Sequence, residues 1–211
     1  MLFARTHLLK GRNIMTHHIH DHGQRHGHGG TPTQILMAEH ELILEALDAL
    51  EQRVAAIRTG APPDRAYVEK AVTFLREFAD KCHHGKEENL LLKRMTERGF
   101  PAQSGPIAVM LAEHEAGRAY IRGMADGAAK LGTDPAAVNR IAENARGYID
   151  LLRAHIGKEN NVLFPMADRA LTPEDQAHLT KEFERFEAEE TGAGVHEAML
   201  ALLKDLKAGV A

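Results

Sequence analysis

The stretch CHHGKEEN, Cys82 to Asn89, sets His83 and His84 just ahead of Glu87 and Glu88. Two His/Glu pairs therefore stand at the four-residue spacing that puts side chains on one face of a helix. The rest of the chain separates them, because the pattern occurs twice. HHGKEENLLL (83–92) returns as HIGKENNVLF (155–164), and LMAEHE (36–41) returns as MLAEHE (110–115). Aligning the GKE of the longer copies sets His83 over His155 and Glu87 over Glu159, while His84 falls on Ile156 and Glu88 on Asn160. The repeated constellation is thus His40, His83, Glu87, His114, His155 and Glu159. Each half gives a lone histidine from one helix and a His-x-x-x-Glu from the next.

Two ionised carboxylates brought into a helical interior would cost several kcal/mol each without a counter-charge. Metal cations supply that charge. Four imidazoles and two carboxylates with no thiolate suit iron, manganese or zinc. Two carboxylates among so many donors point to bridging, hence to a pair of metal ions.

The elements that must position these residues are helices. From Thr33 onward the apolar pattern is helical, with breaks at 59–64, 98–106, 132–135 and 171–175. The first helix carries Leu36, His40, Ile43, Leu44, Leu47 and Val54 on one face; the second carries Val72, Leu75, Ala79, His83, Glu87 and Leu90. Met110, Leu111, His114 and Ile121 share a face of the third, and Tyr148, Leu151, Leu152, His155, Glu159, Val162 and Leu163 one of the fourth. Short connections make sequential helices antiparallel neighbours. The expected fold is all-α: an up-down-up-down four-helix bundle over residues 34–170, built from an internal two-helix repeat, with additional C-terminal helices in 171–211. Thr172, Pro173 and Asp175 carry the start signals of the first of these.

Residues 1–33 differ in kind. MTHHIHDHGQRHGHGG mixes histidine and glycine with almost nothing apolar, so disorder is expected there. His17, His18, His20, His22, His26 and His28 could load metal ions weakly or form a passive tail, and Met15 is an alternative start to Met1. The formal net charge of −4, with both signs mixed, argues against nucleic acid as a partner. Cys82 is the one cysteine, which suits a reducing compartment. No apolar run approaches the ~20 residues that span a bilayer, so the expected location is cytoplasmic, with a small molecule as partner and no membrane.

With EH in the first helix, CHHGKEENLL in the second, MLAEHE in the third and LLRAHIGKENNVLFP in the fourth, residues 33–170 resemble the hemerythrin-like, or HHE cation-binding, family. The resemblance implies a non-haem di-iron centre in a four-helix bundle, with His40, His83, Glu87, His114, His155 and Glu159 as its ligands. It also implies activities that involve oxygen, nitric oxide, peroxide or iron. Two departures stand out. The oxygen carriers have a second histidine one turn after the third-helix histidine, where this chain has Arg118, and an aspartate one residue beyond the position of Glu159. His84 is the candidate replacement: at roughly 100° per residue it lies roughly 60° from Glu87, with His83 roughly 40° on the other side, and all three fit one inward arc. Glu88 falls outside that arc and is expected to face solvent.

Tyr148, two turns before His155, could reach the metals or be an ordinary buried residue. Arg118 could close a pocket or pair with a glutamate. Of Glu39, Glu41, Glu113 and Glu115, most are expected at the surface, with one of them a candidate to orient an imidazole; Cys82 is expected buried, and His178 and His196 exposed. Two functions fit: a di-iron module that reversibly binds or senses a small oxidant, and a redox enzyme of catalase or peroxidase type, or an iron-handling protein for storage or cluster repair.

Overall fold

The computed structural model describes residues 30–192 and 194–210, so the histidine-rich positions 17–28 lie outside the described residues. Helix α1 is Pro32–Arg58. The Thr31 side chain accepts from the Gln34 backbone, Gln34 returns a bond to the Thr31 N–H, and Pro32 fixes the first turn. The helix therefore starts inside the segment expected to be disordered. Helix α2 (65–97) starts as Arg65–Phe74 behind an Asp64 cap and runs on through Leu75–His84, Glu87–Leu91 and Leu92–Glu97. Helix α3 is Gly105–Ala129. Helix α4 (137–170) comprises Ala137–Lys158, Glu159–Leu163 and Phe164–Ala170. Helix α5, Pro173–Phe186, has the capping box that Thr172 and Asp175 announce and continues into Glu187–Gly192; helix α6 is Val195–Ala208. No strand occurs among the described residues. The fold is an all-α helical bundle.

Four of these stretches, Leu75–His84, Glu87–Leu91, Glu159–Leu163 and Glu187–Gly192, are π-helical, with hydrogen bonds that span five residues instead of four. The widening moves the inward face by one residue just after the glutamates. Leu90 is only partly buried and Val162 is 50 % exposed, although α-helical spacing from His83 and His155 places both inward. Leu91 and Leu163 take the core positions, at 0 % and 1 % exposure. The correction is the same in both halves of the repeat.

Apolar side chains form two clusters with the His/Glu layer between them. One cluster contains Ile43, Leu47, Phe78, Ile121 and Leu152; the other contains Leu36, Leu91, Met110, Leu163 and Phe183. On α1 the layer at His40 follows Leu36 and precedes Ile43. On α2 it lies between Phe78 and Leu91, on α3 between Met110 and Ile121, and on α4 between Leu152 and Leu163. The tail is part of the fold. Met199, Leu203 and Leu206 of α6 enter the first cluster, Leu179 and Phe183 of α5 enter the second, and an Arg98–Asp175 pair ties the end of α2 to the start of α5. No helix among the described residues is long and apolar enough to cross a membrane.

Candidate metal centre

The six repeated residues and His84 meet in the polar layer, all 3 % exposed or less. Their donor atoms fall into two groups that share Glu87. His40, His83, Glu87 and Glu159 form one, and His84, Glu87, His114 and His155 the other, the atoms of each lying within 4.8 Å of one another. Glu87 turns Oε1 toward His83 Nε2 at 3.6 Å and Oε2 toward His114 Nε2 at 3.4 Å. Glu159 does the same from the opposite side, with Oε2 3.2 Å from His40 Nε2 and Oε1 3.1 Å from His155 Nε2. Each carboxylate thus presents one oxygen to each histidine pair. The Nε2 atoms of His114 and His155 face each other at 3.1 Å, and the His84 ring stacks on His114 with centroids 3.9 Å apart.

This layer is poorly satisfied by protein alone. Both oxygens of Glu87 and of Glu159, the Nε2 atoms of His40 and His83, and both nitrogens of His84 are buried without a hydrogen-bond partner. Buried polar atoms are nearly always paired, and an orphaned one costs about 1–3 kcal/mol. So many on one small volume are what a cation would satisfy, and the donor set fits iron, manganese or zinc.

The Nδ1 atoms of the four repeated histidines, by contrast, are all held. His83 Nδ1 bonds to Glu39 Oε2 at 2.8 Å, His114 Nδ1 to Glu88 Oε1 at 2.7 Å, His155 Nδ1 to Glu113 Oε2 at 2.9 Å and His40 Nδ1 to Asn160 Oδ1 at 2.8 Å. Each acceptor sits on the helix before that of the histidine it holds: α1 to α2, α2 to α3, α3 to α4, and α4 back to α1. An acceptor on Nδ1 keeps the proton there, fixes the ring and leaves Nε2 as a lone-pair donor, the usual arrangement around a metal-binding histidine. Glu39 and Glu113 are in turn engaged by Lys86 and Lys158.

The charges follow from burial and from these partners. Burial pushes the Glu87 carboxyl well above the usual range, and the neighbouring Glu159 pushes it further. Burial would raise Glu159 too, but His155 and His40 outweigh it and hold that carboxylate ionised. Burial lowers His83 to about 4 against the pull of Glu39, and it lowers His84 more strongly, with His114 and His83 adding to the effect. Both rings are neutral near pH 7, the form that donates a lone pair. Glu39, despite burial, is held at about 2 by the Lys86 charge and the His83 hydrogen bond.

Glu88 is the plainest correction to the sequence reading. It is half-buried, holds His114 and accepts from Arg118 Nη2 at 2.7 Å. A helical wheel measures its angle from the interior but not the reach of α3 toward it. Glu39 and Glu113 both turn inward, while Glu41 and Glu115 are exposed. The repeat carried the signal for these residues: Glu39 and Glu113 each precede a lone histidine, Lys86 and Lys158 each precede a repeated glutamate, and Glu88 aligns with Asn160. Residue spacing alone assigns no role to Lys86, Lys158 or Asn160; the structure does. Arg118 pairs with Asp80, Glu88 and Glu115, and it borders a cavity of about 600 Å³ outside the His84/His114 side. Tyr148 is fully buried, with its hydroxyl unpartnered and its ionisation suppressed, chiefly by burial. Cys82 is buried and its thiol is pushed up to about 11 by that burial. His178 is exposed, whereas His196 is half-buried with its ring 5.7 Å from Phe78.

The family model for the hemerythrin HHE cation binding domain matches residues 31–167. The chain belongs to that family. Nothing among curated proteins or solved structures matches it. The HHE domain is a metal-binding helical domain, and in this one the buried His/Glu groups are those that could hold the metal. The match ends before α5 and α6.

Proposed function

We propose that this HHE domain holds two iron ions between Glu87 and Glu159 and uses them to bind or react with oxygen, peroxide or nitric oxide. His40 and His83 would hold metal on one side and His84, His114 and His155 on the other, with Glu87 and Glu159 available to both. The observation that carries this reading is the pair of carboxylates, each with one oxygen toward each histidine pair and all four oxygens orphaned. Iron bound there would supply one-electron exchange with the oxidant.

The protein's own part is orientation and exclusion of water. The Nδ1 acceptors keep four imidazoles in the lone-pair tautomer, and the apolar clusters on either side keep the layer dry. Three of those acceptors are carboxylates, which make the imidazoles stronger donors and favour oxidised iron. That supports redox turnover over reversible carriage and agrees with Arg118 standing where carriers have a histidine. Metal analysis of full-length protein purified without affinity metals tests the centre. About two irons per chain, lost in His83→Ala and in Glu159→Ala, is the expected result; metal-free protein unaffected by either change refutes it. Anaerobic reduction followed by oxygen then separates the chemistries: rapid oxidation with peroxide consumption marks an enzyme, and a stable reversible spectrum marks a carrier or sensor.

A further inference from the structure

Lys86 is 0 % exposed, an ammonium sealed in the bundle. Such a charge persists only with close counter-charges. It has two. It donates to Glu39 Oε1 from α1, and to Glu187 Oε1 at 2.6 Å from the segment that continues α5. Glu39 uses its other oxygen to hold His83. A chain of contacts thus runs from Glu187 through Lys86 and Glu39 to a histidine of the candidate centre. Its outer end comes from the tail, beyond the matched domain at 31–167. The tail is seated firmly there, because Gly85 lets the Phe186 ring lie so close that a Cβ at residue 85 would meet it at 2.7 Å.

The other half of the repeat shows what Glu187 is for. Lys158 engages Glu113, which holds His155, in the same order, but Lys158 is 41 % exposed and no second carboxylate among the described residues is paired with it. Water screens that ammonium. Lys86 is sealed from solvent, so an anion must do the screening, leaving the Glu39 charge directed at His83. The cluster Glu39, Cys82 and Glu187 has the composition of a further cation site, and the cation is Lys86 itself.

We infer that Glu187 is a positioning residue for the His40/His83 half of the centre: by neutralising Lys86 it keeps Glu39 a strong acceptor for the His83 N–H and so keeps His83 a strong donor. The tail is then part of the metal site and not an appendage. This rests on the two-metal reading above.

Cobalt(II) titration of the full-length apoprotein, in competition with a chelator, tests it, with proton NMR of the cobalt form reading the hyperfine-shifted imidazole N–H signals. Wild type should bind two cobalt ions. Glu187→Gln should weaken one of them by about 3–10-fold, short of the ~10–100-fold typical for a direct partner of a ligand. It should shift a single imidazole N–H, the one also shifted by Glu39→Gln. Glu187→Asp, which keeps the charge, should recover most of the affinity, and so should the double variant Lys86→Met with Glu187→Gln, which removes both charges. A merely structural role would give no recovery in the double variant. Unchanged affinity and signals in Glu187→Gln, or an Asp variant as weak as the Gln variant, overturns the inference and leaves the metal reading standing. Wild type that binds no cobalt overturns both.

Discussion

The two halves of the repeat share one plan and solve it in opposite surroundings. In the first half Glu39 and Lys86 are buried, and the tail closes over them with Glu187. In the second, Glu113 and Lys158 reach water, and the neighbouring wall is Asp80, Glu88 and Arg118, each about a quarter exposed, beside the cavity of about 600 Å³. A duplicated set of candidate donors therefore does not make equivalent surroundings. In one half the outer partners are sealed and held by fixed charges; in the other they are bordered by solvent.

The comparison breaks first at the shared residues. Glu159→Ala should abolish binding at both halves together, because each of its oxygens faces a different histidine pair; one retained ion per chain in elemental analysis would show that it does not bridge. Glu87→Leu should also lose metal yet stabilise the apoprotein, since it removes a buried carboxyl with both oxygens unpaired. A rise in melting temperature of the metal-free form measures that.

Next come the outer partners, where the halves should diverge. Glu39→Ala leaves the buried Lys86 ammonium with Glu187 alone and the His83 ring without its acceptor, and breaking a buried pair costs on the order of 3–5 kcal/mol. Glu113→Ala strands an exposed one, so about 1 kcal/mol or less is expected from the lost ion pair. Urea denaturation of the two apo variants gives the contrast, and equal losses would remove the dry/wet distinction.

Acid should act on the first half as well. His83 titrates at about 4 in the fold against 6.5 unfolded, so below 6.5 the unfolded chain takes up a proton that the native one refuses. Apoprotein stability should fall from pH 6.5 toward 4. Below 4.5 the loss should steepen as Glu39, held at about 2, takes up its proton first in the unfolded chain. His155, raised by Glu159 and Glu113 against burial, contributes the other way, its share lost only as pH rises through its folded value. Glu39→Gln should flatten the lower part of the curve. The smallest effect belongs to Lys158→Ala, within about 0.5 kcal/mol of wild type, as for other exposed positions.

Much of this was readable beforehand, for a physical reason. Polar side chains that must point inward from long helices leave a periodic trace, and duplication wrote it twice, so the meeting of His40, His83, Glu87, His114, His155 and Glu159 was accessible from residue spacing, and the family from the motifs that carry them. His84 was also placed inward by angle. The acceptors were only partly accessible: Glu39 and Glu113 stand among the candidates to orient an imidazole, but Glu88 and Asn160 act across to a neighbouring helix, and the wheel of one helix does not describe what its neighbour offers. Leu90 and Val162 were misplaced because π-helical turns leave no mark in residue type.

The ring of Nδ1 hydrogen bonds has a consequence for how the chain finds its fold. Each bond joins one helix to the next, and the four close on themselves around the bundle. Leucine, isoleucine and alanine layers are nearly interchangeable, so apolar packing alone tolerates a helix displaced by one turn, about 5.4 Å. A displaced helix would give up the bond it donates and the bond it accepts and leave both sets of polar atoms buried. The histidine layer therefore fixes the vertical register of all four helices, metal or no metal, and specifies which bundle this sequence forms.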